Sequence, residues 1–268
     1  MLTARQQHCL NGIGINVWTE RRTGSGKKPE AEAVAEILST AEMEELRRFA
    51  QIPEPAHDLL LATISDDEHN TPIASVSPVV EVPVTLDSWD SIIAAIEGCN
   101  ACELAQNCTR KVPGVGNRQA DLLIIGEGPG HDEDIRGEPF VGRSGQLLDR
   151  MLAAIGFARE QVYITNIVKC RPPSNRDPKQ LEAQQCRAFL EAQIAQVAPK
   201  VILSVGRVSA HNLLASNLPV GKLIQQMHKL PGTEIPLKVT YHPAYLLRNP
   251  SAKAIVWQDL KLLHQMLQ

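Results

Sequence analysis

The chain has 268 residues, of which 43% are hydrophobic, and a formal net charge of −3. That is enough apolar material for one large domain, or for a domain of roughly 180 residues with an extension. No run of 18 apolar residues occurs and no basic-then-apolar leader opens the chain. We therefore expect a cytoplasmic protein with reduced cysteines and no membrane-spanning helix.

Charge is distributed unevenly along the chain. Residues 49–109 contain ten Asp and Glu and no Lys or Arg, whereas residues 110–268 contain 20 Lys and Arg against 13 Asp and Glu. A basic C-terminal part is typical of a protein that binds nucleic acid. A solvated basic surface would have the same composition, so charge alone does not decide the function.

The sequence divides into three zones. Residues 1–22 hold a short apolar motif. Residues 23–88 become acidic and rich in proline after a possible helix at about 30–50, and they predict a mostly disordered linker. Strand and helix patterns alternate from residue 89 onward, so we expect one folded domain over 89–268.

The alternation in the last zone predicts an α/β fold with a parallel sheet covered by helices on both faces. Ligands of such sheets bind at the carboxyl ends of the strands. The apolar runs predict strands at 121–125, 162–168, 200–206 and 237–241. Helices are predicted at 144–155, from Asp177 with Pro178 in its first turn, at 207–215 and at 250–267.

Four cysteines have the spacing of a metal centre. Cys99 and Cys102 form a C-x2-C pair, and Cys170 and Cys186 follow at a distance. An iron–sulfur cluster takes four Cys thiolates, and zinc would accept the same four. Scattered reduced thiols are the third possibility, and the spacing alone does not choose among the three.

A glycine-rich turn follows the first predicted strand. Gly126 to Gly130 reads G-E-G-P-G, and such a turn lets the backbone approach a ligand closely. A dinucleotide loop is the obvious rival. His131 is followed by three acids that would repel a pyrophosphate, and no G-x-G-x-x-G register fits, so we reject that rival.

Three further residues lie where a flat ligand could bind. Phe140 stands between glycines in a loop, where it could stack on a ring or belong to the core. Asn166 ends the second strand and offers a donor and an acceptor side by side, as the edge of a nucleobase requires. His242 lies in a rigid Y-H-P turn after the last strand, although a lone His is more often structural.

The segment from Cys99 to the C-terminus resembles the family 4, iron–sulfur uracil-DNA glycosylases of bacteria and archaea. The motifs that carry the resemblance occur in order: C-x2-C, V-P-G-x-G, G-E-x-P-G, P-F-V-G-R-x-G-Q-L-L-D, T-N-x-V-K-C-R-P-P-x-N-R-x-P and Y-H-P-A-Y-L-L-R. The resemblance implies a three-layer α/β/α sandwich and a repair enzyme that hydrolyses the N-glycosidic bond of uracil. It also favours a structural [4Fe–4S] cluster over zinc. The implied ligands are Cys99, Cys102, Cys170 and Cys186.

The same resemblance implies how uracil would be held. Phe140 would stack on the flipped-out base, and Asn166 would read its pyrimidine edge. His242 would donate toward uracil O2 as negative charge develops there. Gly126 and Gly128 would line the same pocket.

The acids after the first strand would act on the sugar. Glu127, with Glu133 or Asp134 behind it, would position water or stabilise the sugar cation. Gly128 stands where cluster-free uracil glycosylases carry a water-activating Asp, and Gly130 where they carry a Tyr that excludes the methyl group of thymine. We therefore expect Glu133 to help exclude that methyl group.

The resemblance also assigns residues to DNA. Leu246 and Arg248 would wedge the duplex and hold phosphates. The full expected set is Arg143, Lys169, Arg171, Arg176, Leu246 and Arg248. No lysine is placed as a Schiff-base nucleophile, so we expect a monofunctional glycosylase. We also expect it to be a monomer. Cys108 stands where relatives often have Arg, and we expect it to be a spare thiol rather than a ligand.

Residues 10–22 form a separate motif that contains Leu10, Ile15 and Trp18. It resembles the N-terminal peptide of the psi subunit of bacterial DNA polymerase III, which docks on the clamp loader. Trp and Arg are favoured at such interfaces, and folding of Trp18 back onto the catalytic domain is the alternative.

Two other function classes stay open for the chain. They are a non-catalytic replisome adaptor and a zinc-stabilised nucleotide-binding protein.

Overall fold

The computed structural model describes residues 86–268. The expected docking peptide, the expected acidic linker and the possible helix at 30–50 lie outside the described residues. None of the helices in the described part is long and apolar enough to cross a membrane.

Six strands form one mixed sheet in the order β1-β3-β2-β4-β6-β5. The four central strands run parallel, and the two edge strands pair antiparallel to their neighbours. The strands are β1 (Val115–Gly116), β2 (Leu122–Gly126), β3 (Tyr163–Asn166), β4 (Val201–Val205), β5 (Met227–Lys229) and β6 (Pro236–Thr240). The predicted central parallel sheet is confirmed, while the short edge strands were not predicted.

Nine helices accompany this sheet in the described part of the chain. They are α1 (Trp89–Gly98), α2 (Glu103–Asn107), α3 (His131–Arg136), α4 (Arg143–Ala154), α5 (Gln180–Val197), α6 (Arg207–Leu214), α7 (Val220–Leu223), α8 (Pro243–Arg248) and α9 (Lys253–Met266). Short 3-10 turns lie at Arg159–Gln161, Pro173–Asn175 and Pro250–Ala252.

The core lies on both faces of the sheet because the central strands are apolar throughout. Alternate residues of β2 point to opposite faces, so Leu122 and Ile124 join one cluster while Leu123 and Ile125 join the other. Helices α4 and α9 cover the first face, and α5, α6 and α7 cover the second. This arrangement is the three-layer α/β/α sandwich that the sequence predicts.

The helix expected from Asp177 begins three residues later. Helix α5 starts at Gln180, and Glu182 accepts a hydrogen bond from the backbone N–H of Lys179 at 2.7 Å. Arg176 also pairs with the Glu182 carboxylate. Because Glu182 supplies the capping contact, Asp177 does not cap the helix and lies in the preceding loop.

The parallel register brings the ends of distant segments together. Gly126 at the end of β2 pairs with Asn166 at the end of β3. Strand β6 ends at Thr240, two residues before His242, which is the N-cap of α8. The sheet therefore places all three segments at one rim.

Candidate active site

A cleft of about 430 Å³ opens at the carboxyl ends of these strands. Its lining includes most of the residues predicted to bind or act on uracil: Glu127, Gly128, Glu133, Phe140, Asn166 and His242. Segments more than 100 residues apart in sequence thus meet in one cavity, as the strand-end reasoning predicts.

Gly126 makes the back of the cleft compact. A Cβ atom at this position would lie 2.4 Å from Asn166 Oδ1 and 2.6 Å from Phe140 Cζ. Any larger residue would therefore push these two side chains away. The glycine is required by close approach, since its own φ is not in the left-handed region.

Phe140 is held in a strained but well-packed loop. Its φ is +53°, a value that is uncommon for a bulky residue. The ring is 6% exposed and stacks on the imidazole of His242, with 5.5 Å between ring centroids and 30° between planes. Gly145 of α4 packs so closely that a Cβ atom there would lie 1.8 Å from the Phe140 carbonyl oxygen. Backbone packing thus fixes the aromatic ring at the cleft.

Asn166 carries an unpartnered polar atom. The residue is 2% exposed, and among the described residues its Oδ1 is the one buried side-chain oxygen or nitrogen without a hydrogen-bond partner. Leaving such an acceptor unpaired costs about 1–3 kcal/mol. An N–H group of a ligand in the cleft would satisfy it.

His242 presents a neutral imidazole with a defined tautomer. Its Nδ1 accepts a hydrogen bond from the backbone N–H of Ala244 at 3.1 Å, so the ring proton resides on Nε2. Burial lowers the pKa of His242 to about 4, and the charge of Arg248 acts in the same direction. At neutral pH the ring is therefore an uncharged donor through Nε2. A site with this donor, the Asn166 acceptor and an aromatic ring suits a flat heterocycle with a carbonyl edge.

Comparison with known proteins agrees with this geometry. Residues 113–261 match the model of the uracil DNA glycosylase superfamily. A type-4 uracil-DNA glycosylase of Archaeoglobus fulgidus is 40% identical over 182 residues, which is 66% of this chain and 92% of that protein. The Sulfurisphaera tokodaii type-4 enzyme is 38% identical over 191 residues, 68% of this chain and 86% of that protein. The Thermotoga maritima type-4 enzyme is 42% identical over 174 residues, 62% of this chain and 88% of that protein.

The chain belongs to the type-4 uracil-DNA glycosylases. Membership confirms the resemblance on which the expected roles rest. The contacts of each expected site residue in this glycosylase are described next, residue by residue.

Glu127 is half-buried at the mouth of the glycosylase cleft. Burial raises its pKa to about 7, and the charge and hydrogen bond of Asp177 raise it further, while Arg207 opposes them. Arg207 also forms an ion pair with Asp177. The sequence suggested Asp177 only as a helix cap. Its position in an N-R-x-P motif of the family was the available signal that it could line the cleft.

Glu133 fastens two loops of the cleft wall. Its Oε1 accepts from the backbone N–H groups of Val141 and Gly142 at 2.8 and 3.0 Å, and its Oε2 accepts from that of Gly130 at 3.1 Å. A Cβ atom on Gly130 would lie 2.6 Å from Oε2, so the carboxylate fills the space that a side chain at 130 would need. Glu133 therefore shapes the wall beside the site.

Asp134 does not act behind Glu127 in this glycosylase. It is 4% exposed, and its Oδ1 accepts from the backbone N–H groups of Thr109 and Arg110 at 2.8 and 3.3 Å. It is not among the residues that line the cleft. The expectation that Asp134 supports catalysis is replaced by a role in anchoring the loop at 109–110.

Four of the expected DNA-contacting residues are accessible. Arg176 and Arg248 line the cleft. Arg143 is exposed at the start of α4, and Arg171 is half-buried and contacts Asn175. Arg176 also pairs with Glu182, with Nη2 2.6 Å from Oε1, which fixes its guanidinium beside the cleft.

The expectation that Lys169 and Leu246 contact DNA is wrong, because each is only 1% exposed. Lys169 points into the protein, where burial lowers its pKa to about 7 against the opposing effect of the Cys186 thiol. Leu246 belongs to the core on the α4 and α9 face. Consecutive helical residues point in different directions, so its neighbours Tyr245 and Leu247 are exposed instead, by 37% and 41%.

The thiols of the glycosylase lie close enough to influence one another. Cys170 and Cys186 are buried, and the other three are half-buried. Burial raises the pKa of the Cys170 thiol, and nearby Cys108 and Cys186 raise it further. Burial also raises the pKa of Cys186, and Cys102 and Cys99 act in the same direction. All four expected ligands thus lie in one set of neighbouring cysteine side chains, which we call the cysteine site.

The cysteine site supplies the four thiolates that either a [4Fe–4S] cluster or a zinc ion takes. Within the part of the chain that the structure describes, no three His, Cys, Asp or Glu side chains stand close enough to hold one metal ion. Zinc would require all its sulfur ligands about 2.3 Å from one atom. A [4Fe–4S] cluster takes one thiolate on each iron, so its ligands stand farther apart.

Proposed function

We propose that this protein is a monofunctional uracil-DNA glycosylase that flips uracil out of DNA and hydrolyses its N-glycosidic bond, leaving an abasic site. The unpartnered Oδ1 of Asn166, beside the neutral imidazole of His242 in the family's cleft, is the observation that carries the proposal. The substrate is DNA in which uracil arises by cytosine deamination or by dUTP incorporation. The enzyme acts as a monomer on the nucleoid DNA of the cytoplasm.

Asn166 reads the pyrimidine edge of the flipped base. Its Oδ1 accepts from N3–H of uracil, and its amide nitrogen donates to O4. Cytosine carries an acceptor at N3 and a donor at position 4, so both contacts would become repulsive. The buried amide therefore selects uracil over cytosine, because a mismatched pair would leave polar groups unsatisfied inside the cleft.

Phe140 and Glu133 complete the recognition of the base. The Phe140 ring stacks on the uracil face, and its position is fixed by Gly126 and Gly145. The Glu133 carboxylate stands where a side chain at 130 would project, and it excludes the methyl group of thymine. The wall is rigid because Glu133 accepts three backbone hydrogen bonds.

His242 and Glu127 act on the two charges that develop in the reaction. As the N1–C1′ bond breaks, its electrons move to uracil and accumulate on O2, where His242 Nε2–H donates. The sugar becomes cationic at C1′ and bonds the oxygen of water, and the proton that water loses balances the negative charge of the departing uracil. Ionised Glu127 stabilises that cation or positions the water, and its raised pKa makes this assistance dependent on pH.

Arginines at the rim hold the strand while the base leaves the stack. Flipping costs a few kcal/mol, and phosphate contacts from Arg143, Arg171, Arg176 and Arg248 offset this cost. Because Leu246 is buried, we assign the wedge to the exposed Leu247. Lys169 is also buried, so none of the expected DNA-contacting residues supplies a free lysine amine for lyase chemistry.

Cys99, Cys102, Cys170 and Cys186 would hold a [4Fe–4S] cluster. When bound, the cluster supplies a structural brace and takes no part in bond cleavage. By holding it, the four cysteines would join the C-x2-C loop to the segment after β3 and to helix α5. These thiolates thereby fix the loop that follows Asn166, together with the Arg171 and Arg176 segment.

The proposed activity is tested by strand cleavage. The cluster-loaded protein is incubated with a uracil-containing oligonucleotide, single-stranded or paired as U·G or U·A, and abasic sites are then cleaved with alkali. Breakage at uracil, reduced in His242→Ala, supports the enzyme. DNA binding without breakage in any of the three substrates would contradict it and favour a non-catalytic adaptor.

We also propose that Leu10, Ile15 and Trp18 dock the enzyme on a clamp-loader protein. The apolar residues and the following Arg21 are suited to an interface. A long acidic segment would let the catalytic domain reach DNA while the peptide is bound. Trp18→Ala in the full chain should abolish binding to a purified clamp loader while leaving uracil excision unchanged. Equal binding by the two proteins would contradict the docking role.

A further inference from the structure

One buried cation has no part in the proposed chemistry. The Lys169 ammonium makes hydrogen bonds of 2.7 Å to Thr165 Oγ1, to the Asn166 carbonyl oxygen and to Gln193 Oε1. All three acceptors are neutral, and no carboxylate of the described residues pairs with the ammonium. A buried ammonium without a counter-charge is costly, so the site calls for a negative group nearby.

The cysteine site adjoins the same residue. The backbone N–H of Lys169 and the charge of its ammonium both lower the pKa of the Cys186 thiol, against the larger effect of burial. Cys170 is the next residue in the chain. Lys169 therefore adjoins two expected cluster ligands and also holds the carbonyl group of the residue proposed to read uracil.

These contacts are rigid because the network is closed. Gln193 Nε2 donates to the carbonyl oxygen of Pro113 at 2.8 Å, and Thr165 Oγ1 donates to the same oxygen at 2.8 Å. Thr165 and Gln193 are both fully buried. Movement of the Lys169 side chain would thus disturb the end of β3 and the adjoining face of α5.

We propose that Lys169 is a positioning residue whose ammonium provides the internal counter-charge of the thiolate-bound cluster and holds the β3 end that carries Asn166. This inference rests on the proposed function for its effect on uracil, and on the cluster for its counter-charge. Four thiolates give a bound [4Fe–4S] cluster a net negative charge, which the ammonium offsets. Charge and hydrogen bonds act together, and no change of protonation is involved.

Lys169→Met tests the counter-charge directly, because it keeps most of the side-chain volume and removes the ammonium. Iron content during chelator challenge and the cluster reduction potential are measured on the DNA-bound holoenzyme. Loss of a nearby positive charge makes reduction of an anionic cluster harder, so the potential should fall. Iron should be lost about tenfold faster, as is typical when a residue supporting a metal site is removed.

Two further variants separate charge from packing. Gln193→Glu keeps the shape and places a negative charge beside the ammonium, so it should move the potential in the same direction even if Lys169→Met folds poorly. Thr165→Val removes the hydroxyl contacts to Lys169 and to the Pro113 carbonyl oxygen without changing charge, and it should leave the potential near that of the wild type. A wild-type potential and wild-type iron retention in both charge variants would overturn the inference.

Excision kinetics test whether Lys169 also holds the end of β3 that carries Asn166. Lys169→Met should lower kcat for uracil excision about tenfold with little change in KM, because Asn166 is displaced while the DNA contacts remain. A wild-type kcat would overturn the link to Asn166. Failure of the wild-type enzyme to excise uracil would instead contradict the proposed function, and the shift in potential would still report on the counter-charge.

Discussion

Gly126 and Asn166 lie side by side at the ends of two paired parallel strands, and the space between them leaves no room for a methyl group. A Cβ atom on Gly126 would lie 2.4 Å from Asn166 Oδ1. The position of Asn166, the residue that we propose reads uracil, is therefore set by its neighbour's lack of a side chain. The pairing of β2 with β3, which the sequence pattern predicts, brings the two residues side by side.

Gly126→Ala should slow uracil excision by about 10²-fold, because a misplacement of about 1 Å in a catalytic group has that effect. The protein should still fold and bind DNA, since both displaced side chains, Asn166 and Phe140, lie at the cleft. Single-turnover rates on a U·G duplex measure the effect. Gly221→Ala is the matched control, because its Cβ would meet only ordinary contact at 3.6 Å. Equal rates for the two variants would contradict the tight fit.

Excision should depend on pH through Glu127. Its pKa is raised to about 7 and its ionised form assists the sugar cation, so kcat/KM should rise with pH and level off above neutrality. Asp177→Asn removes the neighbouring charge that raises this pKa, and its amide N–H can donate to the ionised carboxylate, so the acid limb should move to lower pH. His242, with a pKa of about 4, should contribute no limb near neutral pH.

Rate profiles from about pH 5 to 9 check these statements. Glu127→Gln serves as the control, because it should be slow and should lack the acid limb altogether. An unchanged limb in Glu127→Gln would assign the titration to another group.

Leu246 and Leu247 should respond differently to truncation. Leu246→Ala creates a core cavity and should destabilise the fold by about 2–5 kcal/mol. Leu247→Ala should change stability by less than about 0.5 kcal/mol but should slow excision from duplex DNA, where a wedge is needed. Thermal unfolding and parallel assays on duplex and single strands separate the two effects. A duplex defect as large as the single-strand defect in Leu247→Ala would remove it as the wedge.

The buried pair of Lys238 and Asp259 should contribute strongly to stability. Its Nζ and Oδ1 atoms are 2.9 Å apart, and the side chains are 5% and 6% exposed. Asp259→Ala leaves a buried ammonium without its partner and should cost about 3–5 kcal/mol. It also removes the acceptor of the Thr240 hydroxyl, which joins α9 to β6.

The exposed pair of Lys200 and Asp121 is the matched comparison, because it has the same 2.9 Å separation and its side chains are 66% and 51% exposed. Asp121→Ala should cost less than about 1 kcal/mol. Denaturant unfolding of both holoproteins gives the difference. Similar losses would contradict the importance of burial.

The five described cysteines should separate into four ligands and one spare thiol. Cys170→Ser and Cys186→Ser should lose iron and visible absorbance, since each removes one of four thiolates. Cys108→Ser should keep both, although Cys108 is near enough to raise the pKa of Cys170. Anaerobic purification followed by iron analysis measures this. Loss of iron from Cys108→Ser would make Cys108 a ligand.

The sequence predicts the central fold well because its signals are strong there. The all-apolar run of β2 can only be a strand buried on both faces, and Ile125 and Leu203 occupy such runs. The edge strands β1 and β5 are two and three residues long and only partly buried. They are too short to show an alternating hydrophobic pattern, so only their pairing with a neighbouring strand identifies them.

The family motifs predict which residues line the cleft, as for Asn166 and His242. The direction in which a side chain points, into the core or toward the cleft, is harder to predict. Nothing in the motif shows that Lys169 turns inward or that Leu246 belongs to the core, because both depend on packing against distant helices. Asp177 was expected to cap a helix, and a later capping contact leaves it at the cleft beside Glu127.

The most direct test is the single-turnover rate of uracil excision by Asn166→Asp compared with the wild type. The variant keeps the shape of the side chain but loses the amide donor and, when ionised, adds a negative charge against uracil O4. We predict a fall of about 10²–10³-fold, the usual effect of losing one preorganised donor, with DNA binding unchanged. A variant that excises uracil at the wild-type rate would contradict the assignment of Asn166 as the reader of the base.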